Sequence, residues 1–249
     1  MKILVCISNV PDTTTKVKFK EDNTLFDDSG VQWIINPWDE LALTRALELK
    51  EDAGNSVDEV CVIHVGGTQT DATLRKALAI GADKAIRIDG YPADAYYVAG
   101  QIAAYLKENP FDIVFSGIES SDYNGSSVGA MIAEFMDYSG VSSVSQVNID
   151  KDELILYRAI PGGKQKIKTE VPLVAVVQKG IATEPRIPSM RGIMMARKKP
   201  LEVKAAVEME ILTKSVKFDL PETKGACKMI DSEHVEQLVE LLKNEAKVL

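Results

Sequence analysis

Short apolar runs alternate with segments of helical periodicity over about the first 140 residues, and this alternation constrains the fold more than any other feature. The apolar runs at residues 2–7, 57–65, 84–88 and 111–116 are typical of strands buried on both faces of a sheet. Helical patterns follow them at residues 36–53, 71–81, 93–109 and 126–138. Strands and helices that alternate at this spacing form right-handed crossovers. We therefore predict an α/β protein with a doubly wound, mainly parallel sheet.

The pattern changes after residue 141. We predict strands at residues 144–149, 153–160, 164–169 and 173–178, with turns at 150–152 and 161–163, as hairpins that extend or cover the same sheet. No core pattern follows Pro200 until Asp231 or Ser232, which can cap a final helix bearing Val235, Leu238, Val239 and Leu242. We therefore divide the chain into an α/β domain at residues 1–200 and a C-terminal arm at 201–249 that needs another surface to pack against.

Three polar or glycine-containing loops follow the buried strands, at residues 8–10, 65–68 and 117–127. Parallel sheets of this kind bind ligands outside the carboxyl ends of their strands. The three loops are therefore expected to border one crevice, with Asn36 and Trp38 at its mouth and Gly66 in one wall. Trp38 can equally be a core residue, and the turn at Gly66 can be a plain connection.

The loop from Gly117 to Gly129 carries the strongest signal for an anion site. The amides of Gly125, Ser126 and Ser127 precede a helix and could bind a phosphate together with the two serine hydroxyls. The alternative is a polar loop whose serines only cap the helix. The chain contains neither the phosphate-loop motif of kinases and ATPases nor, after its first strand, the Rossmann glycine fingerprint.

Catalytic machinery is sparse. The two histidines, His64 and His234, stand apart from any nucleophile motif, and no His/Cys/Asp cluster has metal-ligand spacing. Asp39 and Glu40 are explained by the dipole of the helix that they begin. A nucleotide crevice without an acid–base pair indicates a carrier or binding subunit rather than a hydrolase.

Residues 184–199 form a basic strip in an acidic protein. The strip has five basic residues and one acid, a charge of +4, which leaves −12 for the rest of a chain whose formal charge is −8. A protein with this acidic charge outside the strip is unsuited to general nucleic-acid binding, because that requires a basic domain. The strip also contains Met190, Met194 and Met195, and methionine adapts to varied partner surfaces. It is therefore a candidate docking surface, the alternative being a solvated helix.

The cysteines and apolar runs bear on the compartment. Cys6, Cys61 and Cys227 are odd in number and unclustered, which does not indicate a disulfide framework. The longest apolar runs, such as residues 171–177, are far below the ~18 residues of a membrane span. We expect no membrane insertion and a cytoplasmic location, or the mitochondrial matrix in a eukaryote.

Several motifs in order resemble those of the β subunit of electron transfer flavoproteins, over essentially the whole chain. The motifs are Lys2-Ile-Leu-Val, Asn36-Pro-Trp-Asp-Glu with Ala46-Leu-Glu-Leu-Lys, Thr73 to Asp83, Gly117 to Gly129, and Glu184 to Met194. The resemblance implies an adenine-nucleotide-hydrolase-like fold and a heterodimer with an α subunit that holds the redox FAD. It also implies an AMP without redox role in this subunit.

The resemblance carries over site residues. Cys6, Asn36, Val65 and Gly66 match positions around the adenine and ribose of AMP. Gly117, Ser126, Ser127 and Val128 match the phosphate loop, although many members have Asn-Gln-Thr where this chain has Ser-Ser-Val. Trp38 matches an aromatic near the flavin.

The segment at residues 183–195 resembles the family's recognition loop for a flavin-containing dehydrogenase. The implied partner-binding residues are Glu184, Arg186, Met190, Arg191 and Met194, with Met190 as the inserted anchor. Ala159 is a departure, because many members have there an acid that forms a salt link to the α subunit and holds the flavin domain. The resemblance therefore implies that the equilibrium between positions of the flavin domain differs in this protein.

Two other functions remain open. In a flavin-bifurcating member of the family, a second FAD occupies the AMP site and takes hydride from NADH. The phosphate loop of this chain lacks the Asp-Gly-Asp-Thr-Ala-Gln-Val-Gly sequence of such members. This difference favours AMP in the site and a carrier that is not an enzyme. A stand-alone nucleotide sensor of the universal-stress type would need neither the basic strip nor the arm.

Overall fold

A computed structural model describes residues 1–150 and 153–249, so Lys151 and Asp152 of the predicted turn lie outside the described residues. The helices are α1 (Pro37–Glu51), α2 (Asp71–Ile80), α3 (Ala95–Glu108), α4 (Val128–Met136), α5 (Met190–Ala196) and α6 (Val235–Asn244). Nine strands form the main sheet: β1 (Lys2–Cys6), β6 (Glu59–Val65), β7 (Lys84–Asp89), β8 (Ile113–Gly117), β9 (Ser139–Asp150), β10 (Glu153–Ile160), β11 (Gly163–Thr169), β12 (Leu173–Val177) and β13 (Leu201–Ala205). Four short strands form two small sheets: β2 (Asn9–Pro11) with β5 (Trp33–Ile35), and β3 (Phe19–Lys20) with β4 (Leu25–Phe26).

The main sheet has the order β11-β10-β9-β12-β8-β1-β6-β7-β13. Every pairing from β9 to β13 is parallel, and only the β9–β10 and β10–β11 pairings are antiparallel. This confirms the predicted α/β class with a mainly parallel sheet. It also shows that β9–β11 extend the sheet at one edge.

Two strands differ from the sequence-based expectation. We grouped β12 with the hairpins, but it lies inside the sheet between β8 and β9, where all five of its residues are buried. The edge strand β13 was not predicted, because its sequence Leu-Glu-Val-Lys-Ala alternates only briefly. It pairs with β7 from Leu201 to Ala205, and Lys84 forms an ion pair with Glu202 across the two strands.

The central strands bury both faces because their alternate residues serve two hydrophobic cores. On β1, Ile3 and Val5 pack with residues of α1 and α2, while Leu4 and Cys6 pack with residues of α3 and α4. Helices therefore cover both faces of the sheet. None of the helices in the described ranges is long and apolar enough to cross a membrane.

The C-terminal arm begins with β13, which joins the main sheet beside β7, and then runs along α3. The side chain of Gln101 is 1% exposed. It donates a hydrogen bond to the carbonyl of Val207 at 2.7 Å and accepts one from the amide of Val207 at 2.8 Å. Asp94 accepts hydrogen bonds from the amides of Leu212 and Thr213. Phe218 then stacks on Phe19 with ring centroids 5.1 Å apart. Beyond it, α6 has no buried residue.

Candidate functional site

The carboxyl ends of β1, β6 and β8 meet at one edge of the sheet, and the three predicted loops begin there. Asp39 in the first turn of α1 joins two of these loops. Its Oδ2 accepts a hydrogen bond from the amide of Ser8 at 2.7 Å, and its Oδ1 accepts one from the amide of Gly117 at 3.0 Å. Asp39 is 2% exposed, and this burial raises its pKa to about 7 against the opposing effect of its hydrogen bonds. The carboxyl group therefore sets the spacing of the loops after β1 and β8.

Asn36 fixes the next part of the loop after β8. Its side chain is completely buried, donates to the carbonyl of Glu119 at 2.9 Å and accepts from the amide of Ser121 at 3.2 Å. Pro37 then begins α1, a position where its missing N–H costs nothing. The Asn-Pro-Trp-Asp-Glu sequence thus starts a helix and connects it to two loops.

Gly117 lies where these groups converge. A Cβ placed on it would come within 2.2 Å of Asp39 Oδ1 and 2.8 Å of the Trp38 Cβ. No L side chain fits without displacement, so the site needs glycine here. Trp38 itself is half-buried.

The loop before α4 has the backbone geometry of an anion-binding nest. Ser126 adopts the left-handed conformation with φ of 50°, and Ser127 follows in the right-handed region. Within the described residues, the amides of Gly125, Ser126 and Ser127 have no hydrogen-bond acceptor. Successive amides in such a conformation converge on one point and bind anions. The loop residues therefore fit a phosphate group.

The serine side chains of this loop have partners within it. The Ser126 hydroxyl donates to Glu119 Oε2 at 3.2 Å, and the Ser127 hydroxyl donates to the carbonyl of Gly125 at 2.6 Å. Ser127 is the residue before α4, but its side chain makes no capping hydrogen bond. The loop thus differs from the alternative in which its serines cap the helix.

The turn after β6 is held by a buried arginine. Arg87 is 3% exposed, donates to the carbonyl of Gly66 at 2.9 Å and pairs with Asp71 and Asp89 at 2.7 and 2.6 Å. His64 Nδ1 lies 2.7 Å from the carbonyl of Ile7, and burial lowers the pKa of its imidazole. His64 therefore links β6 to β1 as a structural residue.

The remaining predicted cofactor residues lie close to these groups in the sheet. Cys6 ends β1 and pairs in register with Ile63, while Val65 ends β6. Both side chains are buried, and burial raises the pKa of the Cys6 thiol, with Asp39 adding to the shift. The Cys6 thiol therefore stays protonated at neutral pH, and Val65 is a hydrocarbon side chain, so this wall of the crevice is apolar.

Asp39 and Arg87 are the residues of this site that sequence reasoning missed. The acid of Asn-Pro-Trp-Asp-Glu was assigned to the helix dipole, and Arg87 lay unnoticed in an apolar strand. A charged residue inside a buried strand is the signal that could have identified Arg87, since such a charge needs partners.

The basic strip presents its apolar side chains to solvent. Ile187, Met190 and Met194 are 85%, 76% and 67% exposed. Glu184 and Arg191 are also exposed, whereas Arg186 is half-buried and forms a bidentate ion pair with Glu51, both oxygens at 2.7 Å. The strip is an exposed apolar surface flanked by cations.

Other parts of the described chain offer less for chemistry. Two shallow depressions lie near the amino ends of the strands, around Lys2, Asp112 and Pro172. They lack the converging amides of the crevice. Among residues 1–150 and 153–249, no group of three or more His, Cys, Asp or Glu side chains could hold a metal ion.

Comparison with known proteins agrees with this architecture. The profile of the family described as "Electron transfer flavoprotein domain" matches residues 23–209. The chain is 34% identical over 263 aligned positions to the electron transfer flavoprotein subunit beta of Bacillus subtilis, with the whole of both chains covered. It is 35% identical to the protein of the same name from Syntrophomonas wolfei, covering 100% of this chain and 98% of that one. The human protein of that name is 33% identical over 208 positions, 82% of this chain and 80% of the human one. The chain therefore belongs to the family of electron transfer flavoprotein β subunits.

Proposed function

We propose that this chain is the β subunit of a heterodimeric electron carrier and that it holds AMP in the crevice described above. The observation that carries the AMP assignment is the nest before α4, whose three amides have no acceptor among the described residues. A phosphate would accept hydrogen bonds from these amides and compensate their dipoles.

The residues around the crevice divide by chemistry. Ser126, Ser127 and Val128 would hold the phosphate through their backbone amides, and the two serine hydroxyls can reorient toward it. Gly117, whose amide donates to Asp39, would line the phosphate loop without donating to the phosphate. Cys6, Val65 and Gly66 would offer the adenine an apolar wall, and Asn36 retains one amide hydrogen beyond its bond to Glu119.

The α subunit would supply most of the FAD site. FAD, when bound, supplies the redox chemistry; this chain would contribute Trp38 beside it. The arm supports such a partner, because α6 exposes Val235, Leu238 and Val239 at 57%, 42% and 50% along one face. An apolar helical face of this kind is stabilised when another subunit covers it.

The recognition surface for a flavin-containing dehydrogenase would be residues 183–195, most of which belong to the basic strip. The residues that would contact the dehydrogenase are Glu184, Arg186, Met190, Arg191 and Met194. Met190 protrudes from the first turn of α5 and would be the inserted anchor. Ala159, half-buried on β10, carries no carboxylate for a salt link to the α subunit. We expect the flavin domain to move more freely here than in members with an acid at that position.

Association through α6 can be tested by coexpression with the α subunit. Leu238→Asp places a charge on the apolar face of α6 and should abolish copurification of the two subunits. Glu240→Lys, a charge change at an exposed position of the same helix, is the matched control and should leave the complex intact. If the Leu238→Asp chain still forms the heterodimer, or if the chain alone is a stable monomer that binds ATP, the subunit assignment is wrong.

A further inference from the structure

The basic strip (residues 184–199) is attached to the rest of the chain near its start by Arg186. The Arg186 guanidinium pairs with both oxygens of Glu51 at the end of α1, at 2.7 Å each. Its backbone amide donates to the Thr44 hydroxyl at 2.9 Å. Arg186 and Glu51 shift each other's pKa toward the charged forms, upward for Arg186 and downward for Glu51. The charge of Arg186 is therefore neutralised within the chain.

The other end of the strip is held by α2. Lys199 Nζ donates to the carbonyls of Leu78, Gly81 and Ala82, at 3.1, 3.1 and 2.6 Å. A lysine at this place satisfies carbonyls that the end of a helix leaves without partners. Arg75 of α2 donates in return to the carbonyls of Ala196 and Lys199, at 2.8 and 2.7 Å.

The middle of the strip packs directly on α2. A Cβ placed on Gly192 would come within 2.4 Å of the carbonyl oxygen of Ala79, so only glycine allows this approach. Ser189 caps α5 by accepting a hydrogen bond from the Gly192 amide at 3.0 Å. The strip is therefore fixed at its start, middle and end.

Three cations of the strip remain available. Arg191, Arg197 and Lys198 are exposed and form no ion pair with any residue that the structure describes. They flank the exposed side chains of Ile187, Met190 and Met194. The complementary partner surface is an apolar pocket with carboxylates at its rim.

We propose that the strip's cations have two separate roles: Arg186 and Lys199, with Arg75, hold the strip in one conformation on α1 and α2, while Arg191, Arg197 and Lys198 meet the carboxylates of the partner. This inference rests on the proposed docking function. It departs from the sequence-based expectation for Arg186, which becomes a positioning residue. A strip ordered before docking loses less conformational entropy when the partner binds.

The test uses the intact heterodimer with four variants. Arg186→Gln and Glu51→Gln break the same ion pair from either side, and the double exchange Glu51→Arg with Arg186→Glu restores it in reverse. Arg191→Gln is the matched control, since it removes the same charge from an exposed position. Amide hydrogen exchange of residues 187–196 should rise about fivefold in each pair-breaking variant. It should stay at the wild-type rate in the double exchange and in Arg191→Gln.

The second readout is the ionic-strength dependence of kcat/KM for reduction by a flavin dehydrogenase that reduces the wild-type heterodimer. Arg191→Gln should flatten this dependence because it removes a docking charge. Arg186→Gln should raise KM and leave kcat and the salt dependence unchanged. The double exchange should return KM to the wild-type value. Unchanged hydrogen exchange in both pair-breaking variants, or a salt dependence flattened equally by Arg186→Gln, would overturn the proposal. If hydrogen exchange behaves as expected but no variant alters reduction, the anchoring stands and the docking function is wrong.

Discussion

Asp39 shows how one buried carboxyl group can connect two loops at the carboxyl edge of a sheet. It is bonded to the amides of Ser8 and Gly117, and burial raises its pKa from an ordinary value of 3.8 to about 7. Between these two values the folded state binds a proton that the unfolded chain does not. The free energy of unfolding therefore decreases as pH rises through this window.

Asp39→Asn should make stability less dependent on pH. Between pH 5.5 and 8.5 the wild type should lose about 2 kcal/mol more unfolding free energy than the variant, measured by urea denaturation. His64 acts in the opposite direction, since its lowered pKa favours folding above the ordinary value of 6.5, but it is present in both proteins and its effect cancels in the comparison. Equal pH dependence in wild type and variant would show that Asp39 is ionised throughout.

Gly117→Ala tests the close packing at the floor of the crevice. The added Cβ must displace Asp39 or Trp38, from which it would lie 2.2 and 2.8 Å. We expect a loss of about 1–3 kcal/mol in unfolding free energy, together with reduced AMP content. Gly163→Ala is the control, because nothing lies within 4 Å of the corresponding Cβ. Comparable stability of the two variants would contradict the proposed packing.

At the residue level, the sequence pattern identified Asn36 and Gly117 as candidate site residues, and the structure places both at the carboxyl edge of the sheet. Their contact with a ligand stays a prediction. The roles of Asp39 and Arg87 depend in part on partners that are distant in sequence, since Gly117 lies 78 residues from Asp39 and Gly66 lies 21 residues from Arg87.

Among the elements, α5 and its flanking residues carry the proposed docking function. Met190 stands 76% exposed at the start of this seven-residue helix. Truncation of a buried interface anchor typically costs about 2 kcal/mol or more, a factor of about 30. Met190→Ala should therefore lower kcat/KM with the donor dehydrogenase by about that factor, measured by stopped-flow reduction.

The controls for Met190→Ala separate docking from folding. Met190→Leu keeps an apolar side chain and should retain most of the rate. The flavin spectrum and AMP content should be the same in all three proteins. Reduction of Met190→Ala at the wild-type rate would mean that another side chain is the anchor.

A strand or helix could be predicted from the sequence where the pattern of its own apolar residues indicates which of its faces are buried. The apolar runs of β1, β6, β7 and β8 identified central strands because both faces are buried. The position of β12 beside β8 could not be predicted, because adjacency in a sheet depends on the path of the connection. The strand β13 was missed, since an edge strand of five residues with two charges has little periodic signal.

At the scale of the whole molecule, the charge distribution and the arm indicate a subunit rather than an independent protein. An acidic body carries one basic strip, and the arm ends in a helix without a buried residue. Sequence alone suggested both features. The surface that α6 would cover belongs to the proposed partner, so its sequence is not part of this chain.

The nucleotide content of the purified heterodimer tests the central claim most directly. Denaturation followed by chromatography of the released nucleotides separates AMP from FAD and counts each per heterodimer. The proposal predicts one AMP and one FAD. Two FAD and no AMP would contradict it and would assign the crevice to a second flavin, as in a bifurcating complex.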